Sequence, residues 1–220
     1  MFNKETIVVL GSINTDINIK GKRLPEPGET MYADDIFYTG GGKGANQIVA
    51  VSRLLNDETK TEMIGTIGDD LFGKRNLENL IKEGISIKGI RSIPNTPTGI
   101  AVIFLDEKSE NYIILISGAN QKCNFIEINY LKKILSKDSI LLLQQEIPIK
   151  FVSEAITVAK QIGVLTILDP APYVKNIPND FYQYVDIITP NKIEAQRLTN
   201  VPIESLNDAF KAGEIIRSLG

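Results

Sequence analysis

The sequence predicts an α/β fold, a mostly parallel sheet with helices on its faces, and three observations carry that prediction. Short β-branched runs alternate with amphipathic stretches along the chain, the order that successive βα units impose. The 220 residues are 43% hydrophobic, enough for one substantial domain with a real core. No repeat, low-complexity tract or flexible linker interrupts them.

Taken in order, Thr6 to Leu10 is the first strand candidate, an apolar run short enough to be buried in a parallel sheet. The segment from Lys20 to Tyr38 contains Pro25, Pro27 and Gly28 and lacks helical periodicity, so strands and turns that leave the main sheet are expected there. After Gly44, Ala45-Asn46-Gln47-Ile48-Val49-Ala50-Val51 leads a helix toward Leu54 and Leu55. Thr61 to Ile64 is the next strand. After Asp69, Leu77, Leu80 and Ile81 recur at helical spacing, and Gly84 closes that helix as a C-terminal cap. Ile100 to Leu105 and Tyr112 to Ile116 flank the polar connector Asp106-Glu107-Lys108-Ser109-Glu110-Asn111 and predict a β-hairpin. Ser139 to Leu143, Val164 to Leu168 and Val185 to Ile188 complete the strands, with a helix from about Phe151 to Ile162 between the first two. The last stretch, Leu206 to Leu219, reads as a helix whose Ala209, Phe210, Ile215, Ile216 and Leu219 call for a sheet to cover, and no strand follows. A C-terminally incomplete domain over 1–220 is therefore expected.

Composition removes several classes of function. With 24 Lys+Arg against 27 Asp+Glu, the formal charge is −3, without the basic excess that phosphate-backbone binding requires, so nucleic acid is not an expected partner. No apolar run approaches the roughly 20 residues of a membrane span, and Ile7 to Leu10 is too short for a secretory signal core, which makes a cytoplasmic location the expectation. One cysteine, Cys123, allows no internal disulfide and no Cys-cluster zinc site, and zero histidines remove His-based triads and metal sites. The chemistry available belongs to Asp, Glu, Lys, Asn and backbone groups.

The most informative stretch is Thr39-Gly40-Gly41-Gly42-Lys43-Gly44-Ala45-Asn46-Gln47, where glycines let a ligand approach the backbone and a lysine and an asparagine stand at a helix start. A P-loop reading fails, because Gly44 follows Gly42-Lys43 and Phe37 occupies the position of the first glycine. Gly40-x-Gly42-x-x-Ala45 satisfies the loose dinucleotide pattern but lacks the compact βαβ start that pattern needs. A glycine turn serving helix packing alone is the competing reading. Gly11-Ser12-Ile13-Asn14-Thr15-Asp16 places polar side chains just after a buried strand, at the carboxyl edge where open α/β sheets bind ligands, although Asp16 alone is equally a turn residue. Glu146 follows a strand, where charged residues are commonly just solvated. Asn191 and Glu194 stand three apart, as a capping pair at a helix start would. Asp169-Pro170-Ala171-Pro172 reads as a turn.

These segments together, GSINTD, LPEPGET, GGGKGANQ, GTIGDDLFG, ISGAN, LLLQQEIP, ILDPAP and TPNKIEA in that order, resemble the ribokinase branch of the PfkB carbohydrate kinase family over essentially the whole chain. The resemblance implies a three-layer α/β/α sandwich with a small β-sheet lid from segments near 17–38 and 94–116. It implies a sugar site lined by Asn14, Asp16, Gly41, Gly42, Lys43, Asn46 and Glu146, with the hairpin residue Ile100 alongside. Asp16 and Glu146 would accept from sugar hydroxyls and Lys43 and Asn46 would donate, the bidentate chemistry that polyol recognition needs. Asn191 and Glu194 would lie near the phosphates of ATP, with Glu194 acting indirectly on magnesium.

The implied activity is ATP-dependent phosphorylation of D-ribose to ribose 5-phosphate, with fructokinase, nucleoside kinase and sugar-phosphate kinase as alternatives within the family. Members carry a Gly-Ala-Gly-Asp segment whose Asp is the catalytic base, and no such segment occurs in these residues. No catalytic residue is therefore assigned, little turnover is expected of this chain alone, and a monovalent cation (K+) is expected only in a complete enzyme. A non-catalytic sugar-binding protein is the alternative of a different class. Pairing of lids in the family implies a homodimer.

Overall fold

The computed structural model describes residues 6–55, 59–175, 177 and 180–220. Two sheets organise them. The larger has six strands in the order β10-β9-β8-β1-β4-β5. These are β1 (Thr6–Leu10), β4 (Lys60–Gly68), β5 (Ser86–Ile93), β8 (Ser139–Leu143), β9 (Leu165–Leu168) and β10 (Ile187–Ile188). Every pairing among them is parallel.

Side chains alternate across a strand, so the central β1 feeds two cores. Val8 and Leu10 join Ile64, Leu141 and Leu143 on one face, beneath α3 (Phe125–Ile134) and α4 (Ile149–Ile162). Val9 joins Met63 and Ile67 on the other, beneath α1 (Lys43–Leu54) and α2 (Leu71–Lys82). The result is the expected helix-sheet-helix layering, and each fully buried Leu or Ile contributes on the order of 1.5–3 kcal/mol.

The smaller sheet has the order β3-β2-β6-β7, built from β2 (Asn14–Lys20), β3 (Asp35–Gly41), β6 (Gly99–Leu105) and β7 (Asn111–Ile116). The expected hairpin is β6 with β7, antiparallel from Ile100 opposite Ile116 to Leu105 opposite Asn111. Only Gly11 to Ile13 separate β1 from β2, and only Gly42 separates β3 from α1. Both ends of the β2–β3 excursion are therefore tied to the carboxyl edge of β1.

Several elements differ from expectation. β4 runs to Gly68 rather than Ile64, and β10 is reduced to Ile187–Ile188. Neither β5 nor α3 was expected. The last helix, α6 (Leu206–Arg217), lies on α5 (Lys192–Thr199), where Ala195, Ile203, Ala212 and Ile216 form a cluster of their own. Ala209 and Ile215 are exposed and Phe210 is 73% exposed, so of the apolar residues expected to seek cover only Ile216 is buried.

Candidate functional site

The site begins where β1 ends. Ser12 is buried, its Oγ donates to Glu146 Oε2 at 2.5 Å, and the backbone N–H of Lys43 donates to the same oxygen at 3.2 Å. The Gly44 N–H donates to Ser12 Oγ at 3.3 Å and the Ala45 N–H to Ser12 O at 2.9 Å. One serine thus joins the end of β1, the first turn of α1 and the segment after β8.

The glycine run serves packing and site at once. Gly42 precedes α1 with φ 89, a conformation that disfavours any side chain, and a Cβ there would meet Asn14 N at 2.7 Å and Ser12 O at 2.9 Å. A Cβ at Gly41 would collide with the Asp16 carboxylate. The Asp16 side chain therefore lies directly over the Gly41 backbone.

Carboxylates gather around Lys43. Burial holds the Asp16 carboxyl above its usual range, and the negative charge of Glu146 adds to the effect. Asp169 is raised as well, chiefly by burial and further by Glu194 and Glu146, while the Lys43 ammonium at 3.7 Å pulls the other way. Asp169, read from sequence only as part of a turn, is thus a member of the cluster. It follows β9 at the carboxyl edge of the sheet as Glu146 follows β8, and that parallel placement was the signal available in the sequence.

Asn14, Asp16, Gly41, Gly42, Lys43 and Glu146 come together at this edge. Asn46 is exposed on the first turns of α1, at the head of a groove of about 510 Å³ between α1 and α2 that also reaches Gly41 and Asn76. Ile100 is placed differently. It pairs with Thr15, so it lies on the face of the small sheet opposite Asp16, whereas Ala101, Ile103 and Ile113 share the face of Asp16. The one-residue offset decides the face.

Asn191 and Glu194 form a complete capping box at the start of α5. Glu194 Oε2 accepts from the Asn191 N–H at 2.8 Å, Oε1 accepts from Asn191 Nδ2 at 2.9 Å, and Asn191 Oδ1 accepts from the Glu194 N–H at 2.9 Å. Both carboxylate oxygens of Glu194 are engaged in the cap, and its charge reaches the cluster through Asp169. Among the described residues no group of three or more carboxylates, cysteines or histidines is arranged to hold a metal ion. The site as a whole offers carboxylate and amide acceptors, one ammonium and backbone N–H groups around an open edge, the set that binds a polyhydroxylated ligand.

The model for the pfkB family carbohydrate kinases matches residues 4–220. A ribokinase of Schizosaccharomyces pombe is 41% identical over 197 residues, which are 88% of this chain and 62% of that protein. A ribokinase of Haemophilus influenzae is 36% identical, with 99% of this chain and 70% of that protein covered. The structure of Arabidopsis thaliana ribokinase complexed with ribose and ATP superposes with a TM-score of 0.86 at 34% identity, covering 99% of this chain and 70% of that one. The chain thus spans under two thirds of the fission yeast relative.

Proposed function

The chain belongs to the pfkB family of carbohydrate kinases, and we propose that it is the sugar-binding, lid-bearing part of a cytoplasmic ATP-dependent ribokinase that converts D-ribose to ribose 5-phosphate. The observation that carries this reading is the cluster of Asp16, Lys43 and Glu146 assembled over the glycine run at the carboxyl edge of the sheet.

Each group has a role that follows from its bonds. Glu146 Oε2 is occupied by Ser12 and Lys43 N, so the carboxylate is held still and Oε1 accepts from a sugar hydroxyl. Asp16 accepts from a second hydroxyl, Asn14 and Asn46 donate, and Lys43 carries its ammonium between the sugar and the position where a transferred phosphoryl group gains charge. These residues are assigned to binding and none to proton abstraction. Glu146 and Asp169 are each held by Ser12 or Lys43, and Asp16 is committed to the sugar.

The small sheet acts as a lid. Ala101, Ile103 and Ile113 lie on the face that carries Asp16 and cover the sugar when the sheet closes, which excludes water and limits ATP hydrolysis. Asn191 and Glu194 border the nucleotide phosphates. A magnesium ion accompanying ATP would offset phosphate charge, and Glu194, whose two carboxylate oxygens are engaged in its cap, would act on it indirectly through its charge rather than as a ligand. The chain forms a homodimer through the lid. No helix among the described residues is long and apolar enough to cross a membrane.

Calorimetric titration of the 220-residue chain with D-ribose, D-fructose and adenosine tests the reading. Binding of ribose in preference to the other two is the expected result, and binding of fructose or adenosine alone moves the chain to another branch of the family. An ATP-dependent phosphorylation assay on the same sample separates binding from turnover. Turnover with ribose places a catalytic base within these residues.

A further inference from the structure

A buried amide beneath the cleft determines what Asn14 offers to a ligand. Asn120 sits in the 3-10 helix Gly118–Lys122, 1% exposed, and its orientation follows from backbone groups of fixed polarity. Asn120 Oδ1 accepts from the Ile13 N–H at 3.0 Å, a group that only donates. Asn120 Nδ2 donates to the Ile13 carbonyl at 3.3 Å, a group that only accepts. Turned over, the amide would set donor against donor and acceptor against acceptor.

The remaining hydrogen of Asn120 Nδ2 goes to Asn14 Oδ1 at 2.7 Å. Asn14 Oδ1 is thereby fixed as an acceptor directed into the protein, and Nδ2 points the other way. Gly99 completes the clamp, since a Cβ there would collide with both Asn14 Oδ1 and Asn120 Nδ2. Asn76 Nδ2 donates to the Asn14 carbonyl at 3.0 Å and fixes the backbone as well. Among the described residues Asn14 Nδ2 has no protein partner, yet the single fully buried side-chain polar atom there without one is Gln144 Oε1. Asn14 Nδ2 therefore keeps a small exposure, and Asn14 stands on the face of β2 that carries Asp16 two residues on.

We propose that Asn120 is a positioning residue that commits Asn14 to donating, so that the site presents an amide donor next to the Asp16 acceptor and reads a pair of sugar hydroxyls. The proposal rests on the sugar-binding reading above. A hydroxyl offered two neighbouring acceptors satisfies one of them only, whereas a donor beside an acceptor engages adjacent hydroxyls together. Loss of the orientation costs one hydrogen bond at the ligand, a fall in affinity of about tenfold.

A double-mutant cycle on the full chain, read by calorimetric titration with D-ribose, tests it. Asn120→Asp keeps the acceptor for the Ile13 N–H but, when ionised, has no hydrogen to give Asn14. The expected fall is about tenfold in the parent and less than about twofold when Asn14→Ala is already present. Equal losses in both backgrounds would show a purely structural role and overturn the proposal. Asn120→Ala, which adds no buried charge, runs the same cycle if Asn120→Asp fails to fold. Side-chain amide exchange by NMR on the sugar-free parent decides the orientation independently: a protected Asn120 amide with an exchanging Asn14 amide is expected, and the reverse refutes it. A parent chain that binds no D-ribose defeats the functional reading, while the exchange measurement still decides how Asn14 is held.

Discussion

The surroundings of Asp16 resist a negative charge on its carboxyl. Its carboxyl is raised above the ordinary 3.8 by burial and by Glu146, so the folded state binds the proton more tightly than the unfolded chain does. Stability held below the unfolded value is lost as pH rises through the folded one. Asp16→Asn is expected to raise the melting temperature at pH 7, with the difference vanishing toward pH 3, while D-ribose binding is lost. Scanning calorimetry across pH checks the first expectation and titration the second. For the parent, ribose affinity falls on acidification at a pH above the usual carboxylate range, because the protonated acid is a poorer acceptor. Asp169 is paired with Lys43 at 3.7 Å, both partly exposed, and pairs of that kind are worth about 0.2–1 kcal/mol. Asp169→Asn is expected to weaken ribose binding about two- to fivefold by titration. Asp16, Lys43 and Glu146 were named through the family resemblance of their segments, since residue types alone left Asp16 open to a turn reading and Glu146 to a solvated one. The parts of Ser12 and Asn120 were not legible, because they depend on hydrogen bonds between residues far apart in the chain, and Asp169 offered only its placement after a strand.

At the scale of elements, α3 and β5 show why a locally weak signal still folds. In β5 the side chains include Lys88 and Arg91 around Gly89, so a half-exposed edge strand lacks the apolar run by which the central strands announce themselves. In α3 the usable signal was the cap: Asn124 accepts from the Ile126 N–H at 2.8 Å, and Glu127 accepts from the Asn124 N–H at 2.7 Å. Glu127 is 1% exposed and also takes Arg91 Nε at 2.6 Å and Nη2 at 3.1 Å, which ties the start of α3 to β5. Both elements missed in the sequence are thus held by one carboxylate. Removing it strands Arg91 and uncaps the helix, so Glu127→Ala is expected to cost about 3 kcal/mol. Urea unfolding measures this as a lower midpoint at unchanged slope, and a shift below about 1 kcal/mol would show the clasp to be dispensable.

At the scale of the whole molecule, the two sheets treat water differently. The parallel sheet is covered on both faces, and its strands other than β5 were readable because buried strands advertise themselves as continuous apolar runs, whereas their order in the sheet was not. The small sheet is covered only in part, and all six residues of β7 are exposed, with Ile114 at 67% and Ile113 at 62%. Register divides them. Ile113 and Leu115 lie on the face of Asp16, the face assigned to the sugar in the proposed lid. Ile114, Tyr112 and Ile116 lie on the opposite face with Ile36 and Tyr38, where only Tyr38 finds an aromatic partner, Phe72 of α2. An apolar sheet face of this kind, next to an unpaired edge strand, is an association surface. The proposed homodimer therefore uses the face of Ile114 and leaves the face of Ile113 to the ligand. Light scattering is expected to report a dimer for the parent and a monomer for Ile114→Asp, with ribose affinity retained. Ile113→Asp is expected to keep the dimer and weaken ribose binding. A parent that scatters as a monomer at working concentration removes the dimer, and a loss of sugar affinity in Ile114→Asp would mean that the two faces do not act separately.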